Sequence, residues 1–173
     1  MFFPLPKQVW FTLKDSGKVQ VFTATPPFSP VATMDTGAIT NHVNFATTTT
    51  KGQFAYVTVG GLNSVKVFTT DESPTLVATV PVGDFPHGLW PSGDGSRLYV
   101  GLENGNQVVA IDTATNQVLT SVAIGGQSPM AMLYVPNAAP NGNPPPGSIN
   151  TGLTDPSEAD SSLHLHLLSQ VGR

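Results

Sequence analysis

The sequence predicts an all-β chain, and three observations predict it. Similar phrases recur along the chain. Apolar and polar residues alternate in runs of five or six. Turn-forming residues punctuate those runs. Tyr56-Val57-Thr58 matches Tyr99-Val100-Gly101 at an offset of 43, as do Asn63 with Asn106 and Pro86 with Pro129. Trp10-Phe11-Thr12 matches Tyr56-Val57-Thr58 at 46, and Lys18–Phe22 matches Ser64–Phe68 at the same offset. A recurrence of about 40–45 residues is the length of one four-stranded propeller blade. The expectation is therefore a β-propeller arc of about three four-stranded antiparallel blades, a partial ring, with an irregular C-terminal tail.

Taken in order, the alternating runs Val9–Leu13, Lys18–Thr23 and Val31–Thr36 align with the second, third and fourth strands of a blade. This first blade spans about 9–36. Complete blades follow at about 41–83 and 86–125. In the third, His87–Pro91 is a short strand, and Asp94-Gly95 supplies the positive φ that tight hairpins need. Arg97–Leu102 is the second strand, and Glu103-Asn104-Gly105-Asn106 turns the chain. Gln107–Asp112 and Gln117–Ile124 complete the sheet, each run close to the usual strand length. Met130–Val135 aligns with a first strand and is expected as a spare inner strand, so residues 1–136 form one propeller region. Residues 137–160, rich in Pro, Asn and Gly, read as a linker. Residues 161–169 alternate again and read as a late strand. The run Thr47–Thr50 reads as a loop between strands.

Composition agrees with this. Of the 173 residues only 10% are charged, against roughly 25% in an ordinary soluble domain. Gly (17) and Pro (16) are plentiful and favour turns, while Thr suits a pleated surface. Net charge is −4 and the seven Lys and Arg are scattered, so no basic stripe exists for nucleic acid. The absence of cysteine excludes disulfides, thiolate zinc sites and thiol catalysis. No apolar run is long enough to span a bilayer. The start, MFFPLPKQVWF, lacks a basic leader and does not read as a signal peptide.

The blade text resembles the YVTN β-propeller repeat of surface-layer and periplasmic proteins over about Val9 to Val135. Tyr56-Val57-Thr58-Val59 and Leu98-Tyr99-Val100-Gly101 carry the first part of that signature. Ile111-Asp112-Thr113-Ala114-Thr115-Asn116 carries the second, and Val82-Gly83 and Ile124-Gly125 the third. The resemblance implies an extracytoplasmic scaffold or binding protein, periplasmic or at the cell surface. Such repeats usually build seven-bladed rings, so about three blades look like the C-terminal part of a longer propeller. Related seven-bladed folds include lactonases and quinoprotein-like enzymes, whose motifs are not identifiable here.

Histidines are the candidates for chemistry. His42 and His87 start successive inner strands, the strands that line a propeller's channel. Imidazole ligates metals and serves as a general base near neutral pH. The pair is thus a candidate divalent-metal or catalytic site; equally, it can be a recurring corner residue that hydrogen-bonds the loop after Gly37 or Gly83. Asn41, Asn44 and Trp90 are further ligand or channel-lining candidates, although core or sheet-stacking use accounts for Trp90 and Trp10 within strands. His164 and His166 share one side of the late strand, where they either chelate a metal or form a solvent-facing stripe. The acidic residues fall in turns, and Asp112 at a strand end is expected to accept hydrogen bonds from the turn after it. No serine-nucleophile elbow, zinc-protease helix, phosphate loop or calcium loop occurs.

Two classes of function follow. One is a non-enzymatic propeller scaffold or binding module acting through its loop face or central channel. The other is a channel-sited, lactonase-like hydrolase or metal-binding protein that uses His42 and His87. An arc of three blades cannot close a ring, since about four blades is the minimum. Its partners are therefore expected to be missing N-terminal blades, another protein, or a second copy completing a six-bladed ring.

Overall fold

The computed structural model describes residues 7–48, 51–126 and 128–135. These form eleven strands and one short 3-10 turn. The first sheet is β1 (Gln8–Leu13), β2 (Lys18–Thr23) and β3 (Pro30–Asp35) in that order. The second is β4 (Thr40–Thr48), β5 (Gly52–Val59), β6 (Ser64–Thr69) and β7 (Leu76–Pro81), with the 3-10 turn at Gly60–Leu62. The third is β8 (Pro86–Pro91), β9 (Arg97–Leu102), β10 (Gln107–Asp112) and β11 (Gln117–Ala123). Every pairing is antiparallel and sequential, so each sheet is a meander.

Alternation explains why the sheets stack. Successive side chains on a strand point to opposite faces, and here both faces of the middle strands are apolar. Trp10, Val19 and Val21 of the first sheet pack against Ala55, Val57, Val59 and Phe68 of the second. On its opposite face the second sheet presents Tyr56, Val65 and Val67 to Leu98, Val100, Val109 and Ile111 of the third. A third cluster forms on the far side of the third sheet, where Tyr99, Val108 and Ala110 meet Ile124, Met132 and Tyr134. Three β-propeller blades stand side by side in an arc.

Two local expectations differ from the structure. Thr47 and Thr48 belong to β4 rather than to a loop, because they extend its pairing to Gln53 and Gly52. Residues 130–135, expected as a spare inner strand, have no strand hydrogen-bonded to them among the described residues. They lie along the far face of the third blade, as β4 and β8 lie along the blades before them, with the Tyr134 ring stacked on Tyr99 at 6.2 Å. Gly88 and Gly101 permit that approach, since a Cβ at either would collide with the Met130 or Pro129 carbonyl. The linker at 137–160, the late strand at 161–169, and Thr49 and Thr50 lie outside the described residues. Among those described, no helix is long and apolar enough to cross a membrane.

Candidate functional site

The inner strands β4 and β8 run beside each other, and side-chain amides tie them together. Asn41 Nδ2 donates to the Pro86 carbonyl at 2.9 Å, and Asn44 Nδ2 donates to the Leu89 carbonyl at 3.3 Å. Asn44 Oδ1 accepts from the Phe45 amide at 2.8 Å. Both asparagines, expected as channel-lining candidates, thus hold one blade to the next. Asn41 Oδ1 is buried and has no hydrogen-bond partner among the described residues.

Threonines on the second strands add a matching set of ties. Thr12 Oγ1 donates to the Asn41 carbonyl at 2.7 Å. Its counterpart Thr58 donates to the His87 carbonyl at 2.6 Å and accepts from the His42 amide at 3.0 Å. The third blade has Gly101 at this position, where the Pro129 carbonyl comes close. Nothing in the strand pattern distinguished these threonines from ordinary strand residues. Their recurrence at 46 residues was the available signal.

These ties bring His42 and His87 together. Their ring centroids are 4.6 Å apart, edge to face at 67°. His87 is buried, whereas His42 is exposed. His87 Nδ1 lies 2.9 Å from the Met130 carbonyl oxygen. A carbonyl only accepts, so this nitrogen carries its hydrogen. His87 Nε2 then faces Glu103 Oε2 at 3.8 Å, a buried oxygen with no hydrogen-bond partner among the described residues. The sequence placed Glu103 in a turn and gave no hint of this contact.

Partial desolvation of the otherwise exposed His42 ring lowers its pKa, and His87 and Lys14 add electrostatic opposition to its charged form. His42 is therefore a neutral, accessible imidazole at neutral pH. It borders a pocket of about 180 Å³ with Asn44, Gly88, Trp90 and Met132. Drug-sized ligands occupy roughly 300 Å³ or more, so this space suits a small group. Trp90 lies on the pocket and is partly exposed, whereas Trp10 is buried against Phe45 and Phe68.

The metal reading finds two imidazoles here but no third ligand. Among the described residues, no group of three or more His, Asp or Glu is arranged to hold a metal ion. His164 and His166 lie outside the described residues. Asp112, at the end of β10, accepts from the Thr115 amide at 2.8 Å and hydroxyl at 3.0 Å, a turn role.

No protein-family model matches the chain, and no curated protein matches it. Solved structures do. Hydrazine synthase of Kuenenia stuttgartiensis is similar with a TM-score of 0.62 and 21% identity, covering 72% of this chain and 35% of that one. A candidate 6-phosphogluconolactonase from Bacteroides fragilis gives 0.61 and 17%, covering 75% and 39%. The periplasmic gluconolactonase of Pseudomonas aeruginosa gives 0.58 and 23%, covering 70% and 38%. The chain therefore spans well under half the length of these structures. At such identities the likeness is one of fold, and the three meandering sheets with their face-to-face cores are β-propeller blades.

Proposed function

We propose that this chain is a β-propeller binding module of the YVTN-repeat type, which takes a small polar ligand at the inner-strand pocket beside His42. The observation that carries this reading is the pairing of the two histidines. His87 is fixed by Met130 and Glu103, and its ring holds His42 edge-on at the pocket, neutral and accessible. A neutral imidazole both donates and accepts a hydrogen bond, and the Trp90 ring beside it offers an apolar face. This is a recognition surface that needs no metal ligand set. The YVTN-like motifs and the likeness to a periplasmic protein support an exported location, at the cell surface or in the periplasm.

The test is ligand-detected NMR with a panel of small carboxylates, sugar acids and lactones. Binding that perturbs the His42 ring signals and disappears in His42→Ala supports the reading. Binding that survives His42→Ala, or its absence across the panel, counts against it.

A lactonase-like hydrolase is the second reading, favoured by the same neutral His42. Such an imidazole can take a proton from water as the water attacks a lactone carbonyl, then return it to the departing ring oxygen. Gluconolactonase-named proteins share the fold, which makes glucono-1,5-lactone the first substrate to try. Hydrolysis above the spontaneous rate, lost in His42→Ala, would favour the enzyme over the pure binder.

A further inference from the structure

Each blade has two faces, and corresponding positions can be compared along the arc. On the side turned to the preceding blade, Ala55, Val57 and Phe68 are at most 2% exposed, as are Leu98, Val100 and Ile111 of the third blade. The first blade carries Val9, Phe11 and Phe22 at these positions. There Val9 is 39% and Phe11 50% exposed, and Phe11 meets Phe22 edge-on at 5.9 Å. Nothing among the described residues covers this face. The inner edge of β1 also pairs with no described residue, whereas its counterparts β5 and β9 pair with β4 and β8.

The opposite end of the arc carries the complement. Blade faces that seal a following blade share one composition: Trp10 with Val19 and Val21, then Tyr56 with Val65 and Val67. The third blade repeats it with Tyr99, Val108 and Ala110. Residues 129–135 lie over this last face in the sequence position of an inner strand, and no second strand adjoins them among the described residues. Among the described residues, the first blade thus has neither an inner strand nor a covering face, and the far side of the third blade carries a segment and a face of the matching kinds.

We propose that a second copy of this chain covers the first blade. Its segment 129–135 adds to the inner edge of β1, and its Tyr99, Val108 and Ala110 face seals Val9, Phe11 and Phe22. This junction continues an interface that the chain already makes twice within itself, which argues for a copy over an unrelated apolar partner. Two such junctions, related by a two-fold axis, close a ring of six blades, within the four to eight that propellers adopt. The register follows from the third blade. Leu89 pairs with Val100, so Met132, 43 residues after Leu89, comes opposite Phe11, the counterpart of Val100.

The experiment is the solution mass of the full chain by light scattering across micromolar concentrations. Twice the single-chain mass is expected, falling to one chain in Phe11→Asp with its β-sheet circular dichroism retained. A single-chain mass for the unmodified protein would overturn the proposal and assign the face to the chain's own remaining residues or to another partner. An open-ended ladder of masses would overturn ring closure. Because the chain has no cysteine, a second variant reads the junction even if Phe11→Asp unfolds. Phe11→Cys combined with Met132→Cys should oxidise to a covalent dimer, while each single variant remains one chain on a non-reducing gel. Equal cross-linking by Phe11→Cys alone, or none by the pair, would reject this strand exchange.

Discussion

The Thr58 hydroxyl reaches across a blade interface to the carbonyl of His87 at 2.6 Å, and the same oxygen accepts the amide of His42 at 3.0 Å. One side chain on β5 thereby fixes the backbone at both histidines. Removing the hydroxyl leaves a buried carbonyl and an amide without their partner. Thr58→Val, which preserves shape, should cost about 1–3 kcal/mol in urea denaturation. Thr58→Ser should cost less, because it keeps the oxygen. Equal losses for the two variants would show that the hydrogen bonds contribute little.

Gly95 offers a test of how closely the blades fit. It sits at φ +72° in the β8–β9 turn, and a Cβ there would run into the Thr47 carbonyl of the neighbouring blade. Gly52 has a similar φ of +83°, but nothing lies within 4 Å of its Cβ position. Both alanine substitutions pay the left-handed backbone penalty, and only Gly95→Ala also meets a neighbour. Gly95→Ala should lose more than about 1 kcal/mol, and clearly more than Gly52→Ala. Equal losses would mean that Thr47 yields without cost.

The blades were legible in the sequence because alternation is local and its repetition is self-checking. Arg97–Leu102 and Gln107–Asp112 occur as strands with the predicted bounds. His42 and His87 read as nearly equivalent, but Val43 pairs with Val57 and Leu89 with Val100, so His87 corresponds to Asn41 and His42 to Gly88. Their roles were not legible, because a repeat offset says which positions correspond and not which side chains meet. Glu103 reads as a turn residue, yet its carboxylate faces a ring sixteen positions earlier across the β8–β9 pairing. Asn41 and Asn44 read as ligand or channel-lining candidates on an inner strand. Their amides satisfy carbonyls on β8, a tie that depends on the spacing between neighbouring blades.

Tyr56 makes the second interface sensitive to alkali. Burial, with a smaller contribution from Asp112, pushes its phenol up to about 12 from an ordinary 10.0. Its hydroxyl donates towards the Thr113 carbonyl at 3.5 Å and Asn116 Oδ1 at 3.3 Å. Between pH 10 and 12 the unfolded chain has lost the phenolic proton while the folded chain keeps it. Stability is therefore fully present below pH 10 and declines as pH rises through that window. Thermal melting should show this decline, and Tyr56→Phe should flatten it. Its cost near neutral pH should be about 1 kcal/mol or less, given the long hydrogen bonds.

His42 supplies the opposite dependence, on the acid side. Burial first, then His87 and Lys14, hold its pKa below the ordinary 6.5. As pH falls below 6.5 the unfolded chain takes up a proton that the folded chain resists, so this contribution to stability shrinks until His42 titrates in place. NMR of the imidazole should place its midpoint below 6.5. His87→Asn retains a donor able to reach the Met130 carbonyl and removes the neighbouring imidazole. In that variant the His42 midpoint should move up part of the way, because burial, the larger cause, remains. A return to the full ordinary value would instead show that His87 dominates. No movement would show that the His87 ring, 4.6 Å away, does not act on His42, and that the His42 midpoint is set by burial and Lys14 alone.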